Sequence, residues 1–218
     1  MQESEIIKNS REYWNSIHQN KNYERKNIIY DNWLDNFYEI ISNCNTPIID
    51  LGCGIGNDTL YLLEKNKKVI PCDYSETAIN FIKKNFPEIT KAECFDITKG
   101  LPFNDNFSDI IIADLSIHYF SEKLTFNILK EIKRVLTPNG FLLFRVNSIN
   151  DINYGSKSGI EIEPHLYKIN DTYKRFFDKQ DINRFFYDWE LIYLQEKTMN
   201  RYPYSKEKVL WVGAAKKI

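Results

Sequence analysis

The sequence predicts an α/β protein, a mostly parallel sheet between two layers of helices, closed by a C-terminal antiparallel hairpin. Three observations carry this. Short apolar runs alternate with longer amphipathic stretches, the pattern of parallel strands joined by crossover helices. The first apolar run passes straight into a glycine-rich turn, Gly52-Cys-Gly54-Ile-Gly56. The chain ends in two β-like runs on either side of a Pro-containing turn, which reads as a hairpin.

Residues 1–45 read as a helical extension ahead of the sheet. The first strand is Pro47–Leu51, and a helix runs from Asp58 to about Lys65. The second strand is Lys68–Asp73. Ser75 can cap the next helix, which has Ala78, Ile79 and Ile82 on one face and stops before Pro87. Lys91–Phe95 is a third strand. Ser108–Leu115 is a fourth, whose Ile110–Ala113 core suits burial on both faces. Ser121 caps a long helix with Leu124, Ile128, Leu129, Ile132 and Leu136 at helical spacing. A turn at Thr137–Gly140 leads to a fifth strand, Phe141–Val146. From 147 to 171 there is no clean period. A helix at Asp178–Tyr187 and strands at Glu190–Met199 and Lys208–Lys216 complete the chain. No repeat or linker interrupts it, so the expectation is one domain over 1–218, with 147–175 as an insertion.

Composition narrows the function. The 29 Lys+Arg and 30 Asp+Glu give a formal net charge of −1, which lacks the electrostatic footprint of a non-specific nucleic-acid binder. Cys44, Cys53, Cys72 and Cys94 form no C-x-x-C pair and no zinc set, and read as buried thiols in a reducing cytosol. The opening residues hold early acids and no apolar core of a signal peptide. The longest apolar runs are far below the ~20 residues that span a bilayer. A soluble, cytoplasmic protein is expected. The unusual feature is aromatic content, with 14 Tyr, 14 Phe and 4 Trp beside 8 Gly.

Glycines where a strand meets a helix let the backbone turn tightly and let a ligand approach closer than any Cβ allows. An acid ending the next strand, here Asp73, can accept both hydroxyls of a ribose, so the pair signals an adenosine-containing cofactor. The dinucleotide fingerprint G-x-G-x-x-G needs glycine at 57, where this chain has Asn57. Asp50, two residues before the first glycine, is also foreign to it. The pattern Asp50-Leu-Gly52-Cys-Gly54-Ile-Gly56 instead resembles the first motif of class I S-adenosylmethionine-dependent methyltransferases. Asp73-Tyr74-Ser75, Phe95-Asp96-Ile97, Phe107–Asp114 and Leu136–Gly140 are similar to that family's later motifs, in the family's order, over about residues 48–146.

The resemblance implies a three-layer Rossmann-like methyltransferase fold with a mostly parallel seven-stranded sheet, and S-adenosyl-L-methionine as cofactor. It implies that Gly52, Gly54 and Gly56 make room for the methionine and ribose portions. Asp73 would hold the ribose hydroxyls, Tyr74 would pack on adenine, Asp96 would accept the adenine amine and Ile97 would give a backbone contact. Asp114 and Leu115 would lie beside the sulfonium. Asp96 has a second reading, as the cap of the Ile97–Gly100 turn, and Asp50 one as the residue that orders the glycine loop.

Methyl transfer is an in-line displacement from a good leaving group, for which positioning can supply ~7–11 kcal/mol. A base is needed only for a nucleophile that arrives protonated. His118, in the loop after the fourth strand, is the candidate general base; it also reads as a helix cap or loop-ordering residue. The aromatics crowd two segments, Tyr13, Trp14, Tyr23, Tyr30 and Trp33 before the sheet and Tyr154, Tyr167, Tyr173, Phe176 and Phe177 after the fifth strand. In similar small-molecule methyltransferases these regions cover the cofactor and form the acceptor pocket, so Tyr13, Trp14, Tyr30, Trp33 and His165 are lid or substrate candidates; helix packing is the other reading. His18 has no identifiable partner in sequence.

The chain lacks the Pro-Pro-aromatic motif of DNA amino-methylases, a Pro-Cys for cytosine C5 attack, the double-glutamate loop of arginine methyltransferases and any basic stripe. The expectation by elimination is a small-molecule acceptor methylated at O, N or S, no nucleic-acid partner, no membrane, and a monomer or homodimer. A non-catalytic cofactor-binding module and a nicotinamide-dependent oxidoreductase are the alternatives.

Overall fold

The computed structural model describes residues 11–17, 24–170, 172–199 and 206–218. His18, Tyr23 and the hairpin turn at 200–205 lie outside the described residues.

The central sheet has seven strands in the order β3-β2-β1-β4-β5-β10-β9. Strands β1 (Ile48–Leu51), β2 (Val69–Asp73), β3 (Glu93–Cys94), β4 (Ser108–Asp114) and β5 (Leu136–Asn147) are parallel. The last two, β9 (Trp189–Met199) and β10 (Lys208–Lys217), are antiparallel to each other, and β10 is antiparallel to β5. This is the Rossmann-like methyltransferase topology expected from sequence.

Helices α3 (Asn57–Glu64), α4 (Glu76–Asn85), α5 (Glu122–Val135) and α6 (Lys179–Phe185) flank the sheet. Ser75 and Ser121 cap α4 and α5 as predicted, each hydroxyl accepting a backbone N–H three residues on. Asp178 and Asp181 form a reciprocal capping box at α6. The apolar strands are buried on both faces. Ile49, Ile111 and Phe144 pack with Ile128 and Ile132 of α5 on one side. Ile48, Ile110, Ile112 and Leu143 pack with Leu34, Phe37 and Ile41 of the N-terminal extension on the other. Much of the extension is therefore a structural layer. It comprises a helix α1 at 11–17, 3₁₀ turns at Arg25–Asn27 and Asn32–Phe37, and a short α2 (Tyr38–Ser42).

The segment without a clean period holds a second, three-stranded antiparallel sheet, β6 (Ile160–Glu163), β7 (Leu166–Ile169) and β8 (Thr172–Arg175). Its reversals carry no glycine signal, because His165 (φ +60°) and Asn170 (φ +54°) supply the left-handed positions. The predicted turn at 137–140 falls within the bounds of β5, with Asn139 at φ +65°. Among the described residues no helix is long and apolar enough to cross a membrane. All four cysteines are free thiols, and Cys44, Cys53 and Cys72 are buried.

Candidate active site

Strand order reverses between β1 and β4, which places a crevice at their carboxyl ends, where open α/β sheets bind ligands. A cavity of about 540 Å³ lies there. Its first wall is the glycine turn. Gly52 has φ +80°, and a Cβ on it would lie 2.3 Å from the Cβ of Ser116, so no side chain fits between the β1 and β4 loops. Asp73 orders this wall. One carboxylate oxygen accepts the Gly54 N–H at 2.9 Å and the other the Ser75 N–H at 2.8 Å.

Asp50 does not order the loop through its amides. It accepts the Thr59 hydroxyl at 2.6 Å and so ties β1 to the first turn of α3. Burial pushes its carboxyl up to about 7, with the nearby Asp114 and Asp73 charges adding to the effect while the Thr59 bond opposes it. Further along the cavity, Asp96 accepts both the N–H and the hydroxyl of Thr98, which makes it the cap of the Ile97–Lys99 turn as well as a lining residue. Tyr74 is covered by the guanidinium of Arg11, 5.0 Å from its ring centre.

Asp114 ends β4 in contact with a buried cation. Arg145, 1% exposed, donates to Asp114 at 2.6 and 2.7 Å and also binds Asp31 of the extension. The same guanidinium lies 4.6 Å over the ring of Trp33, whose indole N–H donates to Asp58. Leu115 follows at φ +53°, a strained value for leucine, at the point where the strand must turn past the cavity. Helix α1 closes this side through Tyr13 and Trp14. Trp14 meets Tyr119 edge-on at 5.9 Å, and the Ser75 hydroxyl donates to Asn15 at 2.6 Å.

The far end of the cavity differs in charge. His118 is buried beside Tyr119, and burial together with Lys208 and Lys174 holds its pKa well below the usual histidine value, so the ring is neutral. Lys174 and Lys208 line the cavity, and both are depressed chiefly by burial. Lys208 pairs with the buried Asp151 at 3.0 Å.

Of the residues expected at the site, Gly52, Gly54, Asp73, Tyr74, Asp96, Ile97, Asp114, Leu115, His118, Tyr13 and Trp14 line this cavity. Four others lie elsewhere. Gly56 is the N-cap of α3 and faces the core, where a Cβ would lie 2.8 Å from Ile82. Tyr30 bonds Glu64 and packs edge-on against Tyr61, and Trp33 is a core residue. His165 accepts or donates a 2.6 Å bond with Asp181, away from the cavity. Phe176 and Phe177, grouped in sequence with the pocket aromatics, are core. Sequence reasoning missed Tyr119, Asn147, Lys174 and Lys208. Tyr119 stood beside His118 and could have been found; the lysines sit in segments with no motif.

The sequence family described as a methyltransferase domain matches residues 49–144, which span β1 to β5 and both halves of the glycine-and-acid pair. The matched residues form a methyltransferase domain that uses S-adenosylmethionine. Its glycine wall, acid-lined end and cavity size fit that cofactor, and the match sets aside the nicotinamide alternative. The chain as a whole is similar to further proteins. It is 33% identical over 148 residues to the tRNA N(3)-methylcytidine methyltransferase of Drosophila melanogaster, covering 62% of this chain and 45% of that protein. It is 24% identical over 200 residues to the tRNA N(3)-methylcytidine methyltransferase of Schizosaccharomyces pombe, covering 80% of this chain and 77% of that one. The chain thus spans about half the length of the fly relative. A solved S-adenosylmethionine-dependent methyltransferase from Methanosarcina mazei shares the fold, with TM-score 0.66 and 21% identity over 79% of this chain and 92% of that one.

These relatives correct one expectation. The expected absence of a nucleic-acid partner is contradicted by relatives that are tRNA N(3)-cytidine methyltransferases. The error has a physical source: a formal charge of −1 averages over the whole surface, whereas an acceptor meets only the local field at a cleft.

Proposed function

We propose that this methyltransferase domain transfers the methyl group of S-adenosylmethionine to a ring nitrogen of a base in transfer RNA, with N3 of cytidine as the first candidate. The observation that carries the reading is the likeness to the fission-yeast enzyme over 80% of the chain, well beyond the domain itself. The described part of residues 147–175, taken as an insertion within one methyltransferase domain, supports it by contributing Tyr154 and Lys174 to the cavity. The free cysteines suit a reducing compartment, here the cytoplasm.

When bound, the cofactor supplies a methyl group on a sulfonium. Asp73 would take the ribose hydroxyls, its carboxylate already aimed by two backbone amides. Tyr74, Asp96 and Ile97 would hold adenine, and Gly52 and Gly54 would admit the methionine portion. Asp114 and Leu115 would flank the sulfonium, where acidic neighbours favour its positive charge. N3 of cytosine carries a lone pair and no proton, so the displacement needs no general base. His118, neutral and buried, is then a positioning residue.

Incubation of the full chain with labelled S-adenosylmethionine and tRNA transcripts, followed by nucleoside mass spectrometry, tests this. 3-Methylcytidine is the expected product. Turnover on other acceptors with no methylated nucleoside from any transcript would reject the RNA reading.

A further inference from the structure

The cavity is electrically two-sided. Asp50, Asp73, Asp96 and Asp114 line the end beneath the glycine turn, and Lys174 and Lys208 line the other. At the basic end the charges do not balance. Asp151, wholly buried, pairs with Lys208 at 3.0 Å, while the Lys174 side chain has no hydrogen bond or ion pair among the described residues. Two partly buried ammonium groups thus have one directly paired carboxylate between them, which leaves positive charge for an anion to complete.

A second observation points the same way. Among the described residues three buried side-chain polar atoms lack any partner: Ser116 Oγ, His118 Nδ1 and Asn147 Oδ1. All three residues line this same cavity. His118 and Asn147 are 2% and 1% exposed, so water does not readily satisfy them from outside. The Asn147 amide is oriented, because its Nδ2 donates to the Arg175 carbonyl at 3.4 Å and leaves Oδ1 as a buried acceptor. Buried polar groups left open in this way are rare and mark a place where a ligand supplies the missing bonds.

We infer that this end of the cavity is a phosphate-bearing acceptor site, in which Lys174 and Lys208 receive a nucleotide phosphate and Asn147 Oδ1 accepts an N–H from the base. The inference rests on the nucleotide reading of the acceptor but not on the acceptor being a polymer. A phosphate of an RNA strand and that of a free mononucleotide present the same chemistry to the lysines. Trp14, Tyr119 and Tyr154 supply flat apolar surface beside the base.

The test compares cytidine 5′-monophosphate, cytidine and a tRNA transcript for binding to the full chain saturated with S-adenosylhomocysteine. The wild type is expected to bind the monophosphate about tenfold more tightly than cytidine, the size of one charge-assisted hydrogen bond. Lys174→Ala should erase that preference and Lys174→Arg should keep it. S-adenosylhomocysteine affinity should stay unchanged in both, which shows that the variants are folded. Asn147→Asp should weaken the monophosphate as well, by adding a negative charge to the cavity that receives the phosphate. A wild type that binds cytidine and its monophosphate alike, or registers neither, overturns the inference, as does a Lys174→Ala protein with the preference intact. A monophosphate preference that depends on Lys174, in a protein that methylates no tRNA, would reject the polymer acceptor and leave this site standing. Loss of tRNA binding with about one unit less salt dependence in Lys174→Ala would assign the phosphate to the polymer.

Discussion

Asp73 and Asp50 face the same cavity with opposite chemistry. Asp73 is held by two backbone amides, so Asp73→Ala removes an aimed acceptor as well as the loop's anchor. S-adenosylhomocysteine affinity by calorimetry is expected to fall more than tenfold, while lost amide bonds cost about 1–3 kcal/mol of stability; unchanged affinity would remove the ribose from this residue. Asp50, pushed up to about 7, behaves differently with pH. Between its ordinary value of 3.8 and 7 the native protein retains a proton that the unfolded chain has released, so Asp50 costs stability as pH rises through that window. Asp50→Asn is expected to gain stability relative to wild type from pH 5 to pH 8, by a few kcal/mol on the scale of ~1.4 kcal/mol per pKa unit. Urea midpoints that differ by the same amount at both pH values would contradict this. Asp73 was legible in sequence because a strand-end acid after a glycine turn is a local pattern. The Asp50–Thr59 bond was not, since it joins a strand to a helix packed beside it.

At the scale of elements, Arg145 fastens the extension to the sheet. It joins Asp31, between the two 3₁₀ turns, to Asp114 at the mouth of β4, against the ring of Trp33. Replacing it with methionine leaves two carboxylates facing each other without their shared cation, and Arg145→Met should cost about 3–5 kcal/mol in chemical denaturation. A loss under 1 kcal/mol would mean that the extension is held by its apolar contacts alone. Gly56→Ala belongs to the same scale. Its φ of +90° and the 2.8 Å approach to Ile82 predict a loss of about 2 kcal/mol, with cofactor affinity within twofold of wild type; a much larger affinity change would return Gly56 to the binding wall. The strands were readable because β1 and β4 are apolar on both faces, a composition that few other elements share. The small sheet at 160–175 was not, because His165 and Asn170 turn it where glycine is the usual signal.

For the whole molecule, a ligand that binds only the folded state stabilises it by about 2.7 kcal/mol at 100 times its dissociation constant. S-adenosylhomocysteine should therefore raise the melting temperature by roughly 5–10 °C in a chain of this size. NAD should not. Equal shifts with both, or none with the first, would contradict the cofactor assignment. The same scale explains why net charge is a poor guide to partners. Near-neutral total charge coexists with an acidic and a basic end in one cavity, and only the latter bears on what the cavity admits.

The sequence by itself determined the strand order's raw material, the helix caps at Ser75 and Ser121, and the glycine wall with its acid, because each is a pattern of neighbours along the chain. The tertiary structure alone decided which aromatics face the cavity. It sent Trp33, Phe176 and Phe177 to the core and left Tyr13 and Trp14 at the site, since a helix face is assigned by what packs against it. It also brought Lys174 and Lys208 beside Asn147, residues far apart in sequence that meet because β10 pairs with β5 and the small sheet folds back over them. Specificity for an acceptor depends on such long-range meetings, and a linear motif does not encode them.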